Sequence, residues 1–255
     1  MTLSVVLITC NEEANLARTL ASVKPLVNEL AGEIIVVDSG STDRTREIAQ
    51  SFGAKVFVEE WKGFAAQKNS AIEKATGDWV LSLDADENVE AALATEIQRV
   101  CLGREAAAYR VPRKNYFLGR WIRHGGFWPD PKLHLFRRGA ARFEDRLVHE
   151  DARLLERDAA TAELKGALEH HAYPTLEIYL EHMRRYADLG AEMAKDKPRW
   201  WLCLNRWLNP PLTFVYNYVF RLGFLDGREG YLLHRHHARY VGWKYAKAWE
   251  RSRSL

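Results

Sequence analysis

Residues 79–89 read "WVLSLDADENV". An apolar run from Trp79 to Leu83 stops abruptly at Asp84, Asp86 and Glu87. Carboxylates set so close together repel one another and resist loss of water. A strand that ends in them therefore has a ligand to meet or a cost to bear. Upstream, "LSVVLIT" (Leu3–Thr9) and "EIIVVD" (Glu33–Asp38) are nearly all apolar, as strands covered on both faces are. "AKVFVE" (Ala54–Glu59) reads as a further strand. Helical patterns lie between them. One carries Leu16, Leu20 and Val23 on its apolar face, with Asn11 as its expected cap; the next carries Ile48 and Phe52 behind a cap at Ser41 or Thr42. Helices are also expected over 64–75 and 90–101. Repeated strand–helix units predict a parallel sheet with helices on both faces.

After about residue 105 the alternation stops. "AAYRVP", "KLHLFRR" and "ALEHHAY" read as strands between aromatic loops. From Thr175 the pattern is helical: 175–195, 200–208, about 212–224 and 229–250, with Pro198, Pro210 and Pro211 as breaks. The expectation is an α/β half, a mixed β region and a helical C-terminal appendage.

The chain has 255 residues, 47% of them hydrophobic and 28% charged, which suits a large globular core. A net charge of +3 is too small to imply nucleic acid as a partner. From Met183 onward, however, 14 Lys and Arg face 6 Asp and Glu, and this stretch holds five of the nine tryptophans. Three dispersed cysteines (Cys10, Cys101, Cys203) exclude a CxxC zinc site and fit a reducing compartment. The N-terminus enters a strand pattern without signal-peptide features, so a cytoplasmic protein is expected. The longest nearly apolar stretch, Leu212–Leu225, is shorter than the ~20 residues of a spanning helix.

Parallel strands end at one edge of a sheet, and open α/β sheets bind ligands there. Three polar clusters are thereby expected to converge: Thr9, Cys10, Asn11 and Glu12; Asp38, Ser39, Gly40 and Ser41; and Asp84, Ala85, Asp86 and Glu87. On an extended segment Asp84 and Asp86 point the same way. Two such carboxylates suit a hard divalent cation, Mg²⁺ or Mn²⁺, completed by water or phosphate. The competing reading has Asp84 capping the next helix and the other acids solvated.

Three stretches, "LSVVLITCNEEANLARTLASV", "EIIVVDSGSTDRT" and "GFAAQKNSAIEKATGDWVLSLDADE", resemble the nucleotide-sugar half of family 2 glycosyltransferases of the GT-A fold, over residues 1–105. The resemblance implies that Asp38 contacts the nucleobase, with Thr9, Asn11, Glu12 and Ser39 around the same donor. It implies that Asp84 and Ala85 meet the ribose or sugar and that Asp86 holds the metal on the diphosphate. Lys68 and Asn69 would lie against the donor. "VVDSGS" departs from the commoner double-Asp form by carrying Ser39 in the second place.

Further stretches, "FWPDPKLHLFRR", "VHE", "HHAYPTLEIYLEHMRRYA", "FLDGREGYLL" and "KYAKAWE", resemble the bacterial lipopolysaccharide inner-core β-glucosyltransferases of family 2. This likeness implies UDP-glucose as donor and a lipid-linked saccharide acceptor. The organisation it implies is a catalytic domain over 1–174, with a nucleotide-sugar half (1–105) and an acceptor half (106–174), followed by a helical basic-aromatic region over 175–255.

An inverting displacement needs a general base on the face opposite the diphosphate. The second half of the chain offers Glu150 and Asp151 in "RLVHED", and Asp130 in "WPDPK". His149 is a candidate contact to metal or diphosphate, and Trp128 a platform for a sugar face or a core residue. The His-rich "LLHRHHARYVGWKY" reads as a solvated basic face, although His234 and His237 share a helix face at a spacing that suits metal. The basic, aromatic tail suits attachment to the cytoplasmic membrane surface, at its inner face. Alternatives stay open: a polyprenyl-phosphate or other glycolipid acceptor, a nucleotidyltransferase, which would want a Gly-rich phosphate loop after the first strand, or a nucleotide-binding protein without turnover.

Overall fold

The computed structural model describes residues 1–103, 105–144, 151–156 and 158–252. The chain opens with β1 (Leu3–Thr9), α1 (Leu16–Glu29), β2 (Glu33–Asp38), α2 (Thr45–Ser51), β3 (Lys55–Val58), α3 (Phe64–Glu73) and β4 (Trp79–Leu83). It continues through β5 (Glu87–Val89), α4 (Ala91–Leu102), β6 (Ala108–Val111), β7 (Arg113–Phe117) and β8 (Arg120–Trp121). Then come β9 (Lys132–Arg137), β10 (Ala141–Phe143), β11 (Ala152–Leu154), β12 (Thr161–Glu163) and β13 (Leu168–Tyr173). Three long helices follow: α5 (Leu176–Ala194), α6 (Arg199–Val215) and α7 (Gly227–Arg251).

The chain forms two compact units, one of residues 1–113 and 131–170, the other of 114–130 and 171–255. The first is built on a seven-stranded sheet in the order β12-β6-β9-β4-β1-β2-β3. β1 pairs in parallel with both β2 and β4, and β2 with β3. β9 runs antiparallel to β4 and β6, which makes the sheet mixed. Apolar residues cover both faces: Leu16, Leu20, Leu26, Leu93 and Ile97 pack on one side, and Ala65, Ala71, Phe136 and Phe143 on the other. The α/β expectation, with a mixed central sheet and C-terminal helices, is met.

β1 starts hard against the turn before β4. A Cβ on Gly77 would stand 2.8 Å from the Ser4 backbone nitrogen, so only glycine lets the two strands close here. Glu33 locks the same end. Its carboxylate accepts hydrogen bonds from Ser4 Oγ at 2.7 Å, Thr76 N at 2.8 Å and Lys55 Nζ at 2.7 Å. Those partners hold it ionised down to a pKa of about 2, against the upward push of burial.

In the second unit, α5 and α6 pack on α7. Tyr179, Met183 and Leu233 share a core with Phe117 and Ile122, and Leu202 with Ala191, Ala194 and Ala248.

Several expectations are corrected. The helix after β1 begins at Leu16, and Asn11, at a φ of 57°, instead accepts a hydrogen bond from Thr42 N. The next helix begins at Thr45, beyond Ser41 and Thr42; Ser41 is drawn away by Asp38, and Asp43 accepts from Thr45 N. Pro210 and Pro211 lie inside one continuous helix rather than breaking it. The two missing amides fall on adjacent residues, so one turn carries the loss. Packing also favours continuity, since the Pro210 ring sits against Gly242 of α7.

Candidate active site

The register of the parallel strands builds the site. Thr9 at the end of β1 pairs with Asp38 at the end of β2, and Leu83 at the end of β4 pairs with Leu7. The three polar clusters therefore share one edge of the sheet.

The first two clusters are laced together. Asp38 is fully buried, and its carboxylate accepts from Thr9 Oγ1 at 2.9 Å, Ser41 N at 2.8 Å, Gly40 N at 3.1 Å and the Ser41 hydroxyl. Asn11 N donates to Ser41 Oγ, Glu12 N to Thr45 Oγ1 and Glu13 N to Asp43 Oδ2. Asp38 thus organises the turn from inside it. Ser39 beside it keeps a buried hydroxyl with no hydrogen-bond partner.

Asp84 and Asp86 sit on a tight turn between β4 and β5, closed by Glu87 N donating to the Asp84 carbonyl at 3.1 Å, and not on an extended segment. α1 holds that turn from below: Thr19 Oγ1 donates to the Ala85 carbonyl at 2.6 Å. The third acid of the motif points inward. Glu87 is fully buried, accepts from Asp84 N at 2.9 Å, and lies 3.4 Å from Arg113 Nη1 and 3.8 Å from His134 Nε2. His134 is anchored by Nδ1, which donates to the Ser82 carbonyl at 2.6 Å.

Two basic groups meet the outward acids. Lys68 Nζ of α3 is 2.7 Å from Asp84 Oδ1, and His170 Nε2 of β13 is 3.6 Å from Asp86 Oδ2. Burial pushes the Asp84 pKa up, but Lys68, helped by His170 and Arg113, holds it well below the usual carboxylate range. Burial raises the Asp86 carboxyl; His170 opposes this, and Asp84 and Glu87 add to it. Burial also raises Glu12, with Asp86 and Asp84 adding through their charge, which places Glu12 in the same electrostatic neighbourhood. Asn69 faces elsewhere. Its amide pairs with the backbone of Phe143 in both directions, at 2.9 Å each.

Asp151 lies in the first unit, with Lys132 Nζ 3.2 Å away. Asp130 and Trp128 belong to the second unit. Asp130 accepts from Asn115 Nδ2 at 3.2 Å, and Trp128 meets Trp121 edge-to-face at 5.3 Å. Glu150 and His149 lie outside the described residues. The sequence reading missed His170, His134 and Arg113. His170 stood in the quoted "EHHAY", but only the antiparallel pairing of His170 with Glu87 brings it to the acidic turn.

The carboxylate oxygens at this turn suit Mg²⁺ or Mn²⁺. Among the described residues no group of three or more His, Cys, Asp or Glu is arranged to hold an ion alone. Other ligands, such as phosphate oxygens and water, would have to complete the shell.

The family model described as glycosyl transferase family 2 matches residues 4–161, from β1 to β12. The chain belongs to that family. Relatives described as glycosyltransferases agree with the assignment. The lipopolysaccharide core biosynthesis glycosyltransferase LpsC of Rhizobium meliloti (strain 1021) is 29% identical over 235 residues, covering 88% of this chain and 82% of its own. An uncharacterized glycosyltransferase of Rickettsia typhi is 45% identical over 98 residues, but this match spans only 38% of this chain and 32% of the relative. Among solved structures, the mannosyltransferase PcManGT from Pyrobaculum calidifontis, in complex with GDP-Man and Mn²⁺, superposes with a TM-score of 0.61. That match has 16% identity over 96% of this chain and 86% of the other. Staphylococcus aureus TarS 1–349 in complex with UDP gives 0.52, with 18% identity over 100% and 91%. These likenesses establish the GT-A fold.

Proposed function

We propose that this family 2 enzyme moves a sugar with inversion, from UDP-glucose to a lipopolysaccharide core or related glycolipid, as a peripheral protein on the inner face of the cell membrane. One observation carries the reading: Asp84 and Asp86 lie together at the ligand edge of the sheet with Lys68 and His170 against them. Similarity to LpsC along most of both chains supports the acceptor class.

Asp86, with His170 beside it, would hold the divalent cation together with the donor's diphosphate, and Asp84 would meet the ribose or sugar. When bound, the cation offsets charge growing on the leaving diphosphate. Lys68 keeps Asp84 ionised until the donor arrives, and Asp38 fixes the turn on which Ser39 would meet the nucleoside. The base on the acceptor side is Glu150, with Asp151 and Asp130 as the other candidates.

A nucleotide-release assay tests the reading. It crosses UDP-, GDP- and dTDP-sugars with truncated core lipopolysaccharides and polyprenyl phosphates, with and without Mg²⁺ or Mn²⁺. Release should require UDP-glucose, a core acceptor and the cation. Release only with polyprenyl phosphate would reassign the acceptor, and tight donor binding without release in any arm would leave a binding protein.

A further inference from the structure

The first half of the C-terminal region carries an apolar stripe that the fold leaves uncovered. On α6, Trp200, Leu204, Trp207, Leu208 and Leu212 recur at helical spacing and are all exposed, Trp200 and Trp207 at 69% each. Leu202, on the opposite side, is fully buried. The stripe does not stop with the helix. The π-helical turn Tyr216–Phe220 continues it, and Phe220 is 73% exposed. Residues 200–225 hold twelve of the exposed large hydrophobic side chains. A chain in water rarely leaves so large a contiguous apolar face bare, and such faces mark a contact surface.

Charge chooses the partner. From Pro198 to Leu225 there is no acidic residue, while Arg199, Arg206 and Arg221 punctuate the stretch. The Arg206 guanidinium lies over the Trp207 ring at 5.3 Å, and Arg221 over Tyr216 at 5.6 Å. Paired cations and amphipathic rings beside exposed leucines match the boundary between lipid headgroups and acyl chains. No described helix is long and apolar enough to cross a membrane.

We infer that α6 and the turn after it form a docking face for an anionic lipid surface, with the helix lying in the plane of the interface. Trp200, Trp207 and Phe220 enter the acyl boundary, and the arginines pair with lipid phosphates. The inference deepens the peripheral-membrane part of the proposed function and names the surface responsible. Lys and Arg near an anionic leaflet add attraction that salt weakens.

The test is co-sedimentation of the full chain with vesicles of phosphatidylcholine alone or mixed with phosphatidylglycerol. Sedimentation velocity and circular dichroism run beside it. Binding should favour the mixed vesicles and weaken with salt. Trp200→Ser/Trp207→Ser/Phe220→Ser should keep its helical signal and lose about tenfold or more in binding. Arg199→Gln/Arg206→Gln should lose the preference for phosphatidylglycerol. Equal binding by the aromatic variant, or no binding by the parent, overturns the inference. So does a dimer of the parent that the aromatic variant dissolves, which would assign the stripe to a second copy. Nucleotide release with a deacylated, soluble core acceptor separates the two readings. It should survive in the aromatic variant, whereas its absence in the parent counts against the transferase reading and leaves the vesicle result standing.

Discussion

Lys68 Nζ lies 2.7 Å from Asp84 Oδ1, so the first carboxylate of the acidic turn already has an internal counter-charge from α3. Lys68→Met leaves that carboxylate partly buried and without its nearest counter-charge. Urea denaturation should show a loss of roughly 1–3 kcal/mol, between the values for exposed and buried pairs. Adding Asp84→Asn should restore part of it. A single variant as stable as the parent would show that the pair contributes nothing.

Asp86→Ala should leave the fold intact and abolish cation-dependent transfer. Several kcal/mol of transition-state stabilisation corresponds to about 10² or more in kcat/KM. His170→Ala, which removes the group 3.6 Å from Asp86, should raise the Mn²⁺ concentration needed for half-maximal rate. Metal titration of nucleotide release measures both. Full activity of folded Asp86→Ala, still cation-dependent, is the adverse result.

Asp38 serves its own turn before any ligand. Asp38→Ala strips Thr9, Gly40 and Ser41 of a shared acceptor inside the protein. Stability should fall by roughly 2–5 kcal/mol, with faster hydrogen exchange at the Gly40 and Ser41 amides and a higher KM for the donor. An unchanged stability with a raised KM would mean that the carboxylate works for the nucleoside alone.

His234 makes stability sensitive to mild acid. It is 1% exposed, and both ring nitrogens lack a hydrogen-bond partner. Burial, with His237 beside it and against the pull of Asp226, lowers its pKa from 6.5 to about 4. The unfolded imidazole takes its proton first, so this contribution is complete above about pH 6.5 and is lost as pH falls towards 4. The total is roughly 3 kcal/mol. Urea midpoints from pH 7 to 4.5 should fall more steeply for the parent than for His234→Gln. Parallel curves would refute the assignment.

Glu150→Gln tests the base. It keeps the shape and removes the proton acceptor, so kcat should fall by about 10² or more with donor affinity nearly kept. Asp151→Asn and Asp130→Asn are the controls. A silent control with active Glu150→Gln reassigns the base; three active variants would move the acceptor face to another part of the chain.

Strands β1 to β4 were legible because each is a short apolar run ending in polar residues, and parallel pairing then forces Thr9, Asp38 and Asp84 to one edge; the three-residue strands β5, β10, β11 and β12 are too short to leave such a pattern. What lay across the chain was not legible. The pairing of β13 with β5 that sets His170 against the acidic turn leaves no local pattern. The His-rich helix misled in the other direction. Its polarity reads as solvated, yet His234 and His236 are buried. The clue was in distant glycines. A Cβ on Gly125 or Gly223 would overlap the His234 imidazole, and the ring also packs against Phe127 and Tyr218. Asp226, at the start of the same helix, holds the facing loop through the Arg123 and His124 amides. A pattern of polar residues cannot reveal a space made for it by absent side chains elsewhere.

The place of β1 between β2 and β4 has a consequence for synthesis. Leu3 finds its partner Trp79 only after β2, β3 and three helices have emerged, at rates that put about 4–15 s between the two strands. During that interval β1 can zip to β2 along one side, while its other side offers unpaired amides and carbonyls to any neighbouring chain. The strand that ends in the acidic turn thus closes the open side of β1, and its own far side stays open until β9 arrives.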